Sequence, residues 1–393
     1  MDRIVRTGID RLPDLNHPML SDRRIGIVTG PTGITADFRS TIEVCAGLAS
    51  AKIAALFACE HGLYGERQAG ETFGDEFEPY YGVPVYSLYG ERRKPTSDML
   101  EPLDTVIFDM QDTGVRFYTY LSTLFYVIEA CAEYGKSLLV LDRPNPLGGL
   151  RCEGGLLVPG FESMVGAWTM PIRTGMTIGE LAGMYNAERQ LGCELEVVWL
   201  EGWNRRMEFQ DTGLPWLMPS PNMPTMDTVR TYAGTCLLEG TNVSEGRGTT
   251  KPFEWIGAPW IDGRKLAGRM KSYGLPGIHF HPMYASPVYS KYKGQKCGGV
   301  QLFVTDPKAY QPVHTGLVLL HELSRQYPEH FEWLKPAEEG RRCFIDLLTG
   351  SDEVRKNIAK IYGLEHIISS WSSDVERWKR MREPYLRYEE GLG

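Results

Sequence analysis

The stretch TVIFDMQDTGVRFYTYLSTLFYVIEACAEYGKSLLVLDRPN, residues 105–145, decides the fold. It opens on an apolar run, TVIFDMQD (105–112), and closes on another, SLLVLDRPN (137–145). Between them Leu121, Leu124, Phe125, Ile128 and Ala132 recur on one face of a 3.6-residue turn, ending before Gly135. Strand, helix, strand in that order implies parallel pairing, because a parallel pair needs a crossover connection. Runs this continuously apolar are those of a sheet covered on both faces.

The same alternation extends outward. RIGIVTG (24–30), IAALFACE (53–60) and VPVYSLYG (83–90) precede the stretch, with helical segments such as TIEVCAGLAS between them. TIGELAGMYNAERQLG (177–192) follows, with Thr177 and Glu180 in the spacing of a capping box, and ELEVVWLEGW supplies a further strand. The expected class is α/β, a Rossmann-like parallel sheet domain with a second, smaller α+β domain. From Pro215 the texture changes: LPWLMPSPNMPT is dense in proline, TCLLEG, GIHFHPMY and GGVQLFVTD read as short strands, and helical pattern returns at HTGLVLLHELSRQY and SDEVRKNIAKIY. We place the boundary near residue 228, giving domains 1–228 and 229–393.

A chain of 393 residues with 42% hydrophobic content can bury a sizeable core. The formal net charge of −8 gives no general reason to bind nucleic acid or an anionic membrane. No run approaches the ~20 apolar residues of a membrane span, and the first twenty residues lack the apolar centre of a signal peptide, so the expected location is the cytoplasm. The eight cysteines show no CxxC pairs and are expected to be reduced and mostly buried. Oligomeric state is not encoded in any pattern here.

Ligands of doubly wound sheets bind outside the carboxyl ends of the strands, so the residues ending each run are the ones to inspect. Asp109 and Asp142 read as caps or turn formers. Glu60-His61 is different, because Glu is not a preferred cap and the loop after it carries Gly62, Gly65 and Gly70. Glu66 and Glu71 read as solvated loop residues. GPTGITAD lacks the G-x-G-x-x-G spacing for a dinucleotide, so a redox cofactor is not expected, and the G-x-S-x-G and H-E-x-x-H signatures are missing. DTGVRFYTY (112–120) sets Arg116 and Tyr118 at a helix start, and Arg116 has the planar fork that pairs with carboxylates. EGTNVSEGRGTTKPFEWIGAPW (239–260) crowds Glu239, Asn242, Ser244, Glu245, Arg247 and Lys251 into one loop, a density that favours ligand contact. His279 and His281 alternate along a strand without a third ligand at a recognisable spacing, so no metal is expected there.

EHGLYGERQAGE, PVYSLYGERRKPT, FDMQDTGVRFYTY, LDRPNPLGG, SPNMPT, EGTNVSEGRGTTKPFE with GAPW, and SKYKGQKCGGVQL occur in this order. In that order they resemble the exo-β-N-acetylmuramidase family over nearly the whole chain. The resemblance implies release of N-acetylmuramic acid from the non-reducing end of peptidoglycan fragments during cell-wall turnover and recycling. It also implies a Rossmann-like domain joined to a smaller one, with the active site between them and no cofactor. Glycoside hydrolysis ordinarily uses paired carboxylates about 5–9.5 Å apart. Glu60 is carried over from the family's EHG motif as general acid, with Glu245 or Glu239 as its partner. Were the substrate's acetamide to attack instead, Tyr118 or His61 would orient it. Arg116 or Arg247 would pair with the lactyl carboxylate, and Asn222, Asn242 and Lys291 are further sugar contacts. The competing readings are a metal-dependent hydrolase using Glu60, His61, Asp109 and Asp112, and a non-catalytic muropeptide-binding protein.

Overall fold

The computed structural model describes residues 5–336, 338 and 340–391. In the first half the strands are β1 (Arg23–Thr29), β2 (Ala51–Ala58), β3 (Glu76–Glu78), β4 (Val83–Ser87), β5 (Thr105–Asp109), β6 (Ser137–Leu141) and β7 (Leu195–Val198). The helices among them are α1 (Gly8–Leu15), α2 (Thr41–Ala46), α3 (Ser97–Leu100), α4 (Thr119–Glu133) and α5 (Ile178–Glu188). The strands form one sheet in the order β3-β4-β2-β1-β5-β6-β7, parallel throughout except for the edge pair β3 and β4.

Side chains alternate across each strand, so one strand feeds two cores. Val106 and Phe108 of β5 pack with Leu121, Leu124, Phe125 and Ile128 of α4. Ile107, between them, points the other way, toward Ile9 and Leu12 of α1 and Ile42 of α2. This two-sided burial is why the runs read as continuously apolar. The expected helix is α4, and Gly135 after it has φ +63°, which favours glycine. The capping box at Thr177 forms as expected, each side chain bonding the other's backbone N–H.

The second half contains α6 (Met226–Thr235), α7 (Gly263–Ser272), α8 (Pro312–Gln326), α9 (Phe344–Thr349), α10 (Glu353–Asn357) and α11 (Gly363–Arg382), with β8 (Trp255–Ala258), β9 (Ile278–Ala285) and β10 (Cys297–Val304). The three strands make an antiparallel sheet in the order β8-β10-β9. TCLLEG, read as a strand, is instead a 3-10 turn over Cys236–Gly240 that prolongs α6, with Leu237 and Leu238 fully buried. Short apolar runs do not distinguish a buried strand from a buried helical turn.

Residue 228 lies in the first turn of α6, and the core continues across it through the edge-to-face rings of Phe117, Tyr232 and Phe253. Such pairs add ~0.5–1.5 kcal/mol each beyond area burial. The end of the chain returns to the first half. The indole of Trp378 on α11 donates to the Thr174 carbonyl at 2.9 Å, and Tyr388 donates to the Asp142 carboxylate at 2.5 Å. All eight cysteines are free thiols, seven buried and Cys343 half-buried. Among the described residues no helix is long and apolar enough to cross a membrane.

Candidate active site

The order of the strands reverses between β1 and β5, the position at which doubly wound folds take their ligands. Here that crevice is filled. Arg143 donates to both oxygens of Asp109, at 2.6 and 2.9 Å, and to the Ile34 carbonyl at 3.0 Å. Thr41 bonds the same carboxylate, and Thr29 bonds the Asp109 carbonyl. Phe209, Pro215 and Trp216 border the ≈ 20 Å³ that remains. Asp142, at the next strand end, accepts from Thr177 Oγ1 and from the backbone of Gly179 and Arg143. Asp142 organises a turn and the start of α5, as expected, whereas Asp109, expected to be a cap or turn former, is instead one half of a buried ion pair.

The open site lies beside this crevice, a cleft of ≈ 1010 Å³ over the carboxyl end of β2 and the start of α4. After β2 the chain turns sharply: Gly62 N–H donates to the Cys59 carbonyl, and His61 and Gly62 have φ +78° and +79°. A positive φ is uncommon for a residue with a side chain. His61 is held there by its ring, with Nδ1 2.9 Å from the Arg67 carbonyl. A carbonyl only accepts, so Nδ1 carries the proton and Nε2 the lone pair. Burial pushes the His61 pKa down, against the pull of Glu60, and Arg247 adds to the lowering.

Glu60 is buried in the cleft wall. Its Oε1 accepts from Gly70 N–H at 3.0 Å and its Oε2 from the Thr119 hydroxyl at 2.7 Å, which sets it at the first turn of α4. Tyr118 occupies the N-cap position of that helix, and its hydroxyl, buried in the same wall, makes no hydrogen bond among the described residues. Glu66 is solvated, and Arg67 pairs with both it and Glu71.

The opposite wall comes from the loop after α6. Arg247 pairs with Glu239 at 2.8 Å and approaches Glu245 at 3.5 Å. Lys291 reaches Glu245 at 2.9 Å and gives its other protons to the Leu238 and Val243 carbonyls, both at 3.0 Å. Burial opposes the charge on Arg247, and Glu239 and Glu245 overcome it, holding its pKa above the ordinary value. Gly246 has φ +91°, and a Cβ there would lie 2.5 Å from the Trp255 carbonyl oxygen, so the loop that aims Arg247 requires glycine. The cleft thus gathers Glu60, Glu239 and Glu245 against Arg247 and Lys291, with His61 and Tyr118 beside them.

Three sequence expectations are corrected. Arg116 does not face the cleft: it is fully buried and donates to the carbonyls of Gly155, Met170 and Leu348, joining the segment before α5 to α9. Asn242 staples its own loop to the segment after α8, donating to the His330 carbonyl and accepting from Glu332 N–H. Asn222 stands behind the cleft wall, its amide engaged by Tyr289 and Gln68. Glu60, His61, Asp109 and Asp112 are not assembled as a metal site: Asp109 is held by Arg143, and Asp112 accepts from Gly114 N–H. Among the described residues no group of three or more His, Cys, Asp and Glu side chains is gathered to hold an ion. His279 and His281 are exposed on the edge strand β9.

Two cleft residues escaped the sequence reading. Tyr89 ends the VPVYSLYG run; burial raises its pKa first, and Glu60 and Glu239 raise it further, so one protonated hydroxyl lies within the influence of carboxylates from both walls. Applying the strand-end criterion to β4 would have found it. Arg93 also lines the cleft and makes no ion pair among the described residues.

Comparison with known proteins agrees with this architecture. Residues 25–227 match the model of the exo-β-N-acetylmuramidase NamZ N-terminal family, and residues 230–388 match its C-terminal counterpart. The peptidoglycan β-N-acetylmuramidase NamZ of Bacillus subtilis (strain 168) is 43% identical over 384 residues, 98% of this chain and 91% of that protein. Two crystal structures of DUF1343 family proteins from Bacteroides fragilis are also similar. One has a TM-score of 0.90 at 35% identity, covering 99% of this chain and 100% of that one. The other has a TM-score of 0.75 at 30% identity, covering 98% and 99%. With family models matching nearly its full length, the chain belongs to the exo-β-N-acetylmuramidase family.

Proposed function

We propose that this chain is a glycoside hydrolase that removes N-acetylmuramic acid from the non-reducing end of peptidoglycan-derived glycans, serving cell-wall turnover and recycling in the cytoplasm. The observation that carries the reading is the convergence of Glu60 with Glu239, Glu245 and Arg247 in one cleft, in a chain of this family. A division near residue 228 belongs to the same reading and is supported by the two matched segments, which end at 227 and begin at 230.

Glu60 is the proton donor to the leaving oxygen, oriented by Gly70 and Thr119. Glu239 is the better partner of the two opposite it. Glu245 is 2% exposed at its side chain and bound by Lys291, whereas Glu239 is 19% exposed and shares Tyr89 with Glu60. Glu239 thus offers its charge to the cationic sugar carbon, and Glu245 fixes Arg247 and Lys291. Arg247, whose fork is not exhausted by its glutamates, takes the lactyl carboxylate. His61 or Tyr118 steadies the acetamide; an unpartnered buried hydroxyl such as that of Tyr118 gains most from a ligand's polar group.

The test is hydrolysis of a chromogenic N-acetylmuramic acid β-glycoside beside its N-acetylglucosamine counterpart. Release from the first alone is expected. No release from either by folded protein would transfer the assignment to muropeptide binding. Glu239→Gln should lower kcat more than Glu245→Gln does at equal folded fraction, and the reverse order would exchange the roles of the two.

A further inference from the structure

The cleft has two unlike ends. At the first turn of α4, Thr119 bonds Glu60, and the Tyr120 hydroxyl donates to the Pro219 carbonyl at 2.6 Å, tying the proline-rich segment to the helix start. The lining takes in Gln68, Ser220 and Tyr289, and on a separate segment Glu162 and Arg342, which bond the backbone N–H and the carbonyl of Gly160 at 2.7 and 2.6 Å.

At the end near Glu60, three side chains from three distant segments join. The Tyr289 hydroxyl donates to Asn222 Oδ1 at 2.7 Å, and Asn222 Nδ2 donates to Gln68 Oε1 at 3.5 Å. Gln68 belongs to the loop that begins with Glu60, Asn222 to SPNMPT, and Tyr289 to the segment after β9. The chain of bonds thus passes from one wall of the cleft to the other.

Each member is supported from behind. Gln68 N–H donates to Glu71 at 3.2 Å, and Met223 N–H closes a turn onto the Ser220 carbonyl at 3.0 Å. Val288 N–H donates to the Gly248 carbonyl at 2.8 Å, where a Cβ on Gly248 would lie 2.4 Å from the Tyr289 carbonyl oxygen. The Gly-rich loop that presents Arg247 therefore also seats Tyr289.

We propose that Gln68 and Tyr289, joined from behind by Asn222, form the end wall of the sugar site and are the specificity determinant for terminal cleavage. An enzyme that cuts inside a chain needs a groove open at both ends; a bridge from wall to wall beside Glu60 stops the glycan one sugar beyond the scissile bond. The remainder of the chain leaves toward Glu162 and Arg342. None of the three residues handles the reacting atoms. The inference rests on the exo-acting glycosidase reading above.

The experiment uses peptide-free glycan chains, with products resolved by mass, alongside the chromogenic N-acetylmuramic acid glycoside and a melting curve for each protein. Wild type should release N-acetylmuramic acid alone. Gln68→Ala combined with Tyr289→Ala should raise oligosaccharides ending in N-acetylmuramic acid by roughly tenfold, the order that one or two lost hydrogen bonds correspond to. Tyr289→Phe keeps the ring and removes only the hydroxyl, and should give a smaller rise in a protein that folds as wild type does. Folded variants that still cleave the small glycoside and yield only the single sugar from chains would overturn the wall and leave the activity reading intact. Failure of wild type to cleave the small glycoside would overturn both.

Discussion

Two carboxylate clusters stand side by side on the carboxyl rim of the same sheet, and their fates are opposite. At the β1–β5 crevice one aspartate meets one guanidinium, every strong contact is made, and ≈ 20 Å³ is left. In the adjacent cleft Glu60, Glu239 and Glu245 face Arg247 and Lys291 around ≈ 1010 Å³. A neutralised, hydrogen-bonded buried pair holds structure, because removing one partner leaves a charge without solvent. An acid-rich cluster with room for a sugar is prepared to exchange charge and protons with a ligand. Position on the rim does not distinguish the two clusters; charge balance and free volume do.

Substitutions test that distinction from its strongest point down. Glu60→Gln should cost roughly 10²–10⁴-fold in kcat, the range for a positioned acid, with little change in melting temperature. Asp109→Asn should do the converse, removing about 3–5 kcal/mol of stability by leaving Arg143 buried and unpaired, while the folded fraction keeps its kcat and KM. Equal kinetic losses from both would erase the contrast. Arg116→Leu belongs with the scaffold: it should lower stability by about 1–3 kcal/mol through three orphaned carbonyls, leaving KM for the muramic glycoside unchanged. A selective rise in KM would restore Arg116 to the substrate.

The smallest effect is electrostatic. Burial lowers the His61 pKa from its ordinary 6.5, so folding favours the neutral ring. That contribution is fully present above the unfolded pKa and is lost as pH falls through the folded one. His61→Gln should therefore flatten part of the decline in melting temperature on acidification, followed by melting curves from neutral to acidic pH. An unchanged slope would mean that other groups set it.

Much of this was written in local pattern. The sheet followed from apolar runs separated by α4 and its relatives, and Glu60, Glu239, Glu245 and Arg247 stood out as charges crowded into loops, whereas Lys291 entered only through the family resemblance. What escaped depended on direction and distance in space. Arg116 and Tyr118 are two residues apart, yet one guanidinium turns into the core while the neighbouring ring faces the cleft. Asn242 looks like a ligand contact until the His330 carbonyl is seen beside it. Tyr89 is one aromatic among twenty tyrosines and acquires meaning only between two carboxylates. The return of α11 to the first half has no local signature, since Trp378 and Thr174 are 204 positions apart.

That return bears on the order of folding. The Asp142 carboxylate, which ties β6 to the start of α5, takes its last hydroxyl from Tyr388, 246 residues downstream. On a ribosome, which delivers the chain from its N-terminus, the sheet is synthesised long before the residue that completes its polar interior. Contacts of such separation slow folding, since a long loop must close before they contribute. The nascent sheet would wait with Asp142 incompletely bonded until Tyr388 is synthesised, and a chain shortened before Tyr388 would remain in that waiting state.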